Sequence, residues 1–413
     1  MQHEELIPHL FRTEYRKIVS VLCKHFGFDQ IEIAEDLSSE TFLTAAQTWP
    51  LNGIPVNPVA WLYTVAKNNA KNYLHRHAIF DKKLVPELKR SSLNTEETEI
   101  DLSEQNINDS QLQMMFAICH PSIPIESQVG LSLRILCGFG IEEIADAFLS
   151  NKETINKRLS RAKEKLREEK IRIELPAPSA ITERLSAVLT TIYLLFNEGY
   201  YSVSNDQTLR KDLCFEAMRL CKMLVENTFT NKPEANALLA LMCFHASRFD
   251  ARLDTNGELI LYDEQDESLW DHELIGRGAY YLHESAKGET ISRYHIEASI
   301  AYWHTIKEDT KQKWENILQL YNQLLQLEYS PVAALNRTFA FSKARSKEEA
   351  IPEAEKLDLS DNHFYFTLLG ELYTDIDNIK AKQSFQKALT LAKTHTDKQT
   401  IQKKIDNFEI KNN

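Results

Sequence analysis

Glycine and proline are scarce in this chain, at 11 and 12 of 413 residues. A fold of short strands and tight turns draws heavily on both, so their scarcity argues against a β-rich architecture. The six cysteines include no CxxC pair and no metal-like spacing, which leaves no basis for a disulfide-stapled module or a thiolate zinc site. Cys214 and Cys221, if helical, are seven residues apart; that is about 10.5 Å at 1.5 Å per residue, beyond disulfide reach. A reducing cytoplasm is the economical setting. No uninterrupted apolar run approaches the ~20 residues a bilayer span needs, and no membrane partner is expected. The N-terminus, MQHEELIPHLFRTEY, has acids where a signal peptide would have an apolar segment. HExxH, GxSxG, the P-loop and GxGxxG are all missing, so no enzyme, cofactor or metal is expected.

What is present suits a globular protein of two to four domains, with 43% apolar and 26% charged residues. Nearly all of it reads as amphipathic helix, and the expected fold class is all-α. Charge is unevenly spread. Residues 1–172 hold 21 basic and 24 acidic side chains, and the remaining 241 hold 27 and 36, within a net charge of −12. Two basic islands interrupt the first part: residues 61–83 have five basic groups against one acid, and residues 152–172 have nine against four. Between them, SSLNTEETEIDLSEQNINDS (91–110) has six acids and no base and reads as an acidic flexible linker. An acidic protein with local basic islands should bind free nucleic acid weakly, because phosphate contacts must overcome the overall repulsion.

The second island has the pattern of a helix-turn-helix. In IEEIADAFLSNKETINKRLSRAKEKL (141–166), Ile141, Ile144, Ala145 and Phe148 share one helical face. Ile155, Leu159, Ala162 and Leu166 form a second stripe, and Asn151 is placed to cap the second helix. That leaves Lys152, Thr154, Asn156, Lys157, Arg158 and Arg161 facing outward, as partners for base edges and phosphates. A solvated amphipathic helix would give the same periodicity. The first island, NPVAWLYTVAKNNAKNYLHRH (57–77), reads as a helix whose Val59, Leu62, Val65, Ala66 and Tyr73 pack inward. Lys67, Asn68, Lys71, Asn72, His75 and Arg76 face out, and HAIFDKK follows as a basic loop. Amides, cations and a nearby aromatic suit unstacked single-stranded bases. Upstream, AEDLSSETFLTAAQTW (34–49) carries Glu35, Asp36 and Glu40 on its outer face, a pattern for a protein partner and not for DNA.

These three stretches, in this order, resemble an extracytoplasmic-function (ECF) sigma factor over about residues 8–172. The resemblance implies two small helical sigma domains, the second with the helix-turn-helix. It implies core RNA polymerase and promoter DNA as partners. Glu35, Asp36, Glu40 and Phe42 would then dock on polymerase. Lys67, Asn68, Lys71, Asn72, His75 and Arg76 would recognise the minus-ten element. Lys152, Thr154, Asn156, Lys157, Arg158 and Arg161 would read the upstream, minus-thirty-five element. Asn72 stands where many members have Asp, and Leu149 where many have Gly, so a promoter preference does not carry over.

The chain continues well beyond those two domains. IRIELPAPSA (171–180) marks a boundary, after which ITERLSAVLTTIYLLFNEGYY restarts a helical stripe. A 34-residue period pairs Val332 with Phe366, Leu335 with Leu369, Asn336 with Gly370 and Phe339 with Tyr373. It continues through Ile351/Phe385, Ala354/Ala388 and Leu357/Leu391. That is the tetratricopeptide (TPR) period, and it makes residues 296–395 TPR-like, with a surface suited to a protein or peptide partner. The tail resembles that of the ECF subgroup with a long TPR-like helical extension. LYDEQDESLWDHELI (261–275) clusters acids with His272, but their consecutive spacing reads as a solvated loop and not as a catalytic or metal site.

The expected domains are therefore 8–85 and 109–172 for the two sigma regions, 86–108 for the linker, 173–295 for a helical extension and 296–410 for the repeats. The expected function is a sigma factor with a regulatory tail. Two other readings stay open: a stand-alone helix-turn-helix regulator with a sensing tail, and an adaptor working through its TPR-like region.

Overall fold

A computed structural model describes residues 3–84, 100–148, 150–200, 210–252, 260 and 262–412. Among the described residues it is all-helical, without a strand. The chain divides into two compact units, Met1–Leu194 and Leu195–Asn413.

The first unit begins with α1 (His3–Phe26), α2 (Ile31–Asn52) and α3 (Pro58–Leu84). These pack around Ile18, Leu22, Ile31, Leu62 and Ala66, all wholly buried. Gly27 and Gly53 take φ of 86° and 84° at the ends of α1 and α2, the left-handed region where glycine has no Cβ to clash. The segment 77–84, expected as a loop, continues α3 to its end at Leu84. It contains no helix breaker, and the next Pro in the sequence, Pro86, disfavours helix only at the residue before it.

The rest of the first unit comprises α4 (Glu104–Ile118), α5 (Ile125–Leu131) with a π-helical turn at Ser132–Leu136, α6 (Ile141–Ala147), α7 (Lys152–Glu168) and α8 (Pro178–Tyr200) as far as Leu194. Helix α4 starts at Ser103, whose side chain accepts from Asn106 N, and Ile100 and Leu102 before it are buried. Order therefore begins earlier than a linker ending at 108 would have it. Residues 86–99 of that linker lie outside the described residues. A domain boundary at 172/173 also differs from the packing. Ile181, Leu185, Val188, Leu189 and Ile192 of α8 are buried. Arg184 donates to the Phe116 carbonyl at 2.5 Å, and Thr191 Oγ1 lies 3.0 Å from Gln128 Oε1. The first part of α8 thus completes the core of the second helical domain. By length and mean hydropathy α8 could cross a bilayer, yet its apolar stripe is occupied by this packing.

The second unit follows with α9 (Lys211–Glu226), α10 (Pro233–Ala246), α11 (His272–Ser285) and α12 (Arg293–Trp303). Helix α10 is apolar around its whole circumference, as a helix surrounded by others must be, and α9, α11 and α12 pack on it. Then come α13 (Lys311–Leu327), α14 (Pro331–Ala344), α15 (Lys347–Glu355), α16 (His363–Tyr373), α17 (Asn378–Leu391) and α18 (His395–Asn412), each packed on the next. The 34-residue period has a physical meaning here. It carries buried Leu335 of α14 onto buried Leu369 of α16, and buried Ala354 of α15 onto buried Ala388 of α17.

The tail's acids and histidines have structural work. Asp266 and Asp271 cap short helices by accepting from Ser268 N and Leu274 N, each at 2.9 Å. Lys307 Nζ donates to the carbonyls of Tyr262, Asp263 and Gln265 at 2.9, 3.2 and 2.9 Å. Trp314 is buried in an apolar cluster that Trp303 packs against. His245 is buried with Nδ1 3.2 Å from the Tyr200 hydroxyl. Burial, with Arg248, Arg252 and His304 nearby, holds its pKa well below the ordinary value. Burial, with Arg248 and Lys313 nearby, lowers His304 to about 3. All six cysteines are free and buried; burial pushes Cys119 to about 11 and Cys214 to about 12, so neither is a thiolate nucleophile.

Two predictions follow from this packing. A Cβ at Gly370 would stand 2.6 Å from the Phe385 ring, whereas one at Gly276 would meet nothing within 4 Å. Gly370→Ala should therefore destabilise by about 1–3 kcal/mol, and Gly276→Ala should stabilise by up to ~1 kcal/mol through helix propensity; urea unfolding compares them. His304 is neutral in the fold, and the unfolded chain binds its proton first. Its contribution is thus complete above pH about 6.5 and declines as pH falls toward about 3. Melting temperature should drop over that range, and His304→Phe should make the decline shallower.

Candidate nucleic-acid interface

Helix α3 is built to hold one face out. The Asn57 side chain accepts from Ala60 N at 3.0 Å, and Pro58 occupies the first helical position, where its missing N–H is harmless. Leu62, Ala66 and Ala70 are wholly buried, and Trp61 meets Trp49 edge-on at 5.3 Å. Tyr63 donates to Glu14 at 2.6 Å, and Tyr73 to Gln30 at 2.9 Å. With the inner face anchored in this way, Asn68, Lys71, Asn72, His75 and Arg76 are exposed and Lys67 is half-exposed. These six polar side chains form a cationic, amide-bearing strip with no acid among them.

In α7, Asn151 accepts from Thr154 N at 2.8 Å, satisfying one of the donors that a helix start leaves unpaired. The stripe Ile155, Leu159, Ala162 and Leu166 is buried. Lys152, Thr154, Asn156, Lys157 and Arg161 are exposed. Arg158 is half-buried, its guanidinium 5.7 Å from the Phe148 ring centre, a contact that limits its reach. Lys152 pairs with Glu142 of α6 at 2.6 Å, with both side chains largely in solvent, so the pair is screened and weak. Leu149, in the turn, lies outside the described residues.

Helix α2 departs from expectation. Asp36 and Glu40 are exposed, but Phe42 is 4% exposed and packs against Phe11 and Tyr15 at 5.0 and 6.3 Å. It supports the helix from within and offers no free surface. Glu35 points at the second helical domain of the same unit. Its Oε2 accepts from Lys163 Nζ of α7 at 2.5 Å, and its Oε1 lies 3.3 Å from Arg134 Nε in the π-turn. Glu32, one turn earlier, pairs with Arg167. Burial, the largest single influence, raises the Glu32 pKa, but the Arg167 hydrogen bond, a backbone hydrogen bond and the charges of Arg167 and Lys163 together hold the carboxyl below its ordinary value. Sequence reading missed Glu32, Arg134, Lys163 and Arg167. The available signal was spacing: Lys163 is four residues after Leu159, on the buried side of α7.

Comparison with known proteins fits this geometry. Residues 10–79, the span of α1 to α3, match sigma-70 region 2. Residues 184–286, from within α8 to the end of α11, match a family of unknown function, DUF6596. The uncharacterized protein R00370 of Rhizobium meliloti (strain 1021) is 33% identical over 387 residues, which is 92% of this chain and 91% of that protein. No solved structure gives a significant match. Helices α1–α3, with their outward basic strip, match sigma-70 region 2, and the chain belongs to one family with R00370 along nearly its whole length.

Proposed function

We propose that this protein is a sigma factor of the extracytoplasmic-function type, working in the cytoplasm, which binds core RNA polymerase and directs promoter-specific initiation. The observation that carries the proposal is the region 2 match on helices whose exposed face holds Lys67, Asn68, Lys71, Asn72, His75 and Arg76. In this reading the strip meets the minus-ten element, where amides and cations suit unstacked bases. The exposed residues of α7 enter the major groove at the minus-thirty-five element, N-terminal half first. Helix α2 offers Glu35, Asp36 and Glu40 to polymerase, with Phe42 keeping the helix in place. The helix pairs of α13 to α18 form a TPR-like regulatory region that docks a protein or peptide.

The alternative, a stand-alone helix-turn-helix regulator, leaves the acids of α2 without a use. Net charge −12 also favours a subunit that meets DNA only within a larger enzyme.

The first test is dependence on polymerase. The purified protein should co-purify with core polymerase and support run-off transcription from a mapped promoter, while shifting that promoter barely at all by itself. Tight, sequence-specific binding without polymerase would favour the stand-alone regulator. The second test concerns α7. Lys157→Ala or Arg158→Ala should weaken use of the upstream element by about 1–3 kcal/mol, the worth of a good base contact. Cys119→Ser and Cys137→Ser should leave promoter choice unchanged, and transcript mapping separates the two classes.

A further inference from the structure

The ion pairs on α2 join two parts of the chain that the proposed function needs apart. Glu35 retains 13% of its side-chain exposure between Lys163, at 11%, and Arg134, at 23%. Below it, Tyr15 donates to the Glu35 carbonyl at 3.4 Å, and the Arg134 guanidinium lies 6.0 Å from the Tyr15 ring centre. Arg167 pairs with Glu32 and donates from Nε to the Phe28 carbonyl at 3.4 Å. Lys24 of α1 donates to Asn106 of α4 at 3.1 Å, and α1 packs along α4. All these contacts lie within the first unit.

Two consequences follow, and both rest on the sigma-factor reading. The carboxylate assigned to polymerase already has two cations, so a basic surface on polymerase must displace them. The two DNA-reading helices are also held too close. Minus ten and minus thirty-five are about 25 base pairs apart, roughly 85 Å at 3.4 Å per base pair. A compact unit of 194 residues has a radius of gyration near 16 Å and is about 40 Å across. It cannot place α3 and α7 on both elements at once.

We propose that the cluster of Glu32 and Glu35 with Arg134, Lys163 and Arg167 is an autoinhibitory clasp, which closes the second sigma domain over the polymerase-facing side of the first and opens when polymerase takes the acids. The clasp can be biased without touching the residues assigned to polymerase or DNA. In the closed state, Arg134→Glu with Lys163→Glu sets two acids against Glu35, where water cannot screen them; in the open state the same side chains are solvated.

The test uses the full-length chain with labels on Leu51→Cys and Glu153→Cys, both exposed positions, while the six native cysteines are buried. Wild type should show one short label separation that lengthens when core polymerase is added. The double charge reversal should show the long separation without polymerase. It should bind polymerase roughly tenfold tighter if about a tenth of wild type is open, because apparent affinity scales with the competent fraction. A second variant covers the case in which the reversal does not fold: Arg12→Cys with Glu143→Cys, an exposed pair across the same two domains at 3.4 Å and assigned to neither polymerase nor DNA, should lose polymerase binding when joined by a short bis-maleimide and keep it when left unjoined. An unchanged separation and affinity in a folded reversal, or undiminished binding by the joined variant, overturns the clasp. If wild type binds no polymerase, the sigma-factor reading fails, whereas the label separation of the free reversal still decides whether the ion pairs hold the domains together.

Discussion

A partly buried carboxylate needs cations and hydrogen-bond donors in place of the solvent it has lost, and the arrangement of the first unit turns on how Glu35 is supplied with them. Lys163 and Arg134 approach it from two different elements. Lys163 lies on the buried side of α7, so the helix phase that seats the apolar stripe also brings Lys163 to Glu35. The Ile155–Leu166 stripe turns inward, and Lys152 to Arg161 are left on the solvent side. The acid also conditions its surroundings: burial, with Glu35 as the next cause, pushes the Tyr15 hydroxyl to about 12. Removing either cation leaves Glu35 with the other, and because all three side chains are mostly withdrawn from water each pairing counts for more than an exposed pair does. Arg12–Glu143 and Lys152–Glu142, both largely solvated, belong to the weaker class.

The second unit solves a different problem, the close approach of successive helices, and uses one device twice. Gly278 of α11 faces the Phe244 ring of α10, and Gly370 of α16 faces the Phe385 ring of α17; a Cβ at either glycine would come within 2.6 Å of the ring. A phenyl group seated where a side chain is missing draws two helices together and fills the space between them. The second pairing lies inside the 34-residue period, which aligns Gly370 with Asn336. The period thus brings buried Leu335 and Ala354 onto buried Leu369 and Ala388, while at the aligned pair Asn336/Gly370 the asparagine is exposed and only the glycine faces a ring.

Much of this could be read from the sequence because it is local. The Asn151 cap, the α7 stripe and the outward strip of α3 depend on 3.6-residue periodicity and on capping chemistry, both encoded within a few residues. The 34-residue offset between Leu335 and Leu369 and between Ala354 and Ala388 was legible because repetition itself is the signal. What escaped depends on distant partners. The outer face of α2 has the same appearance in sequence whether its acids meet solvent, another protein or Lys163, which is 128 residues away. The family resemblance places Phe42 among the docking residues, although the helical phase that exposes Glu40 turns Phe42 toward Tyr15. The boundary at 172/173 followed the prolines, whereas the packing follows the apolar face of α8, which the second helical domain needs to complete its core.

These two kinds of order bear on how such a protein could change state. A ligand shifts a conformational equilibrium only by its difference in affinity for the two states. If Glu35 went from a buried pair into bulk water, the fold would lose the pairing and regain hydration; if it went from one set of cations to another, the two interactions would nearly cancel. In the proposed function polymerase supplies the second set, so the energy separating closed from open stays small even though each pairing is individually strong. A solvated acid on α2 would give no such balance, because it would add little to the contacts that hold the domains together before the encounter. An apolar seam would give none either, because no surface charge on a partner could compete for it. Burial of a charged group between two domains of one chain is what makes the contact both firm and exchangeable.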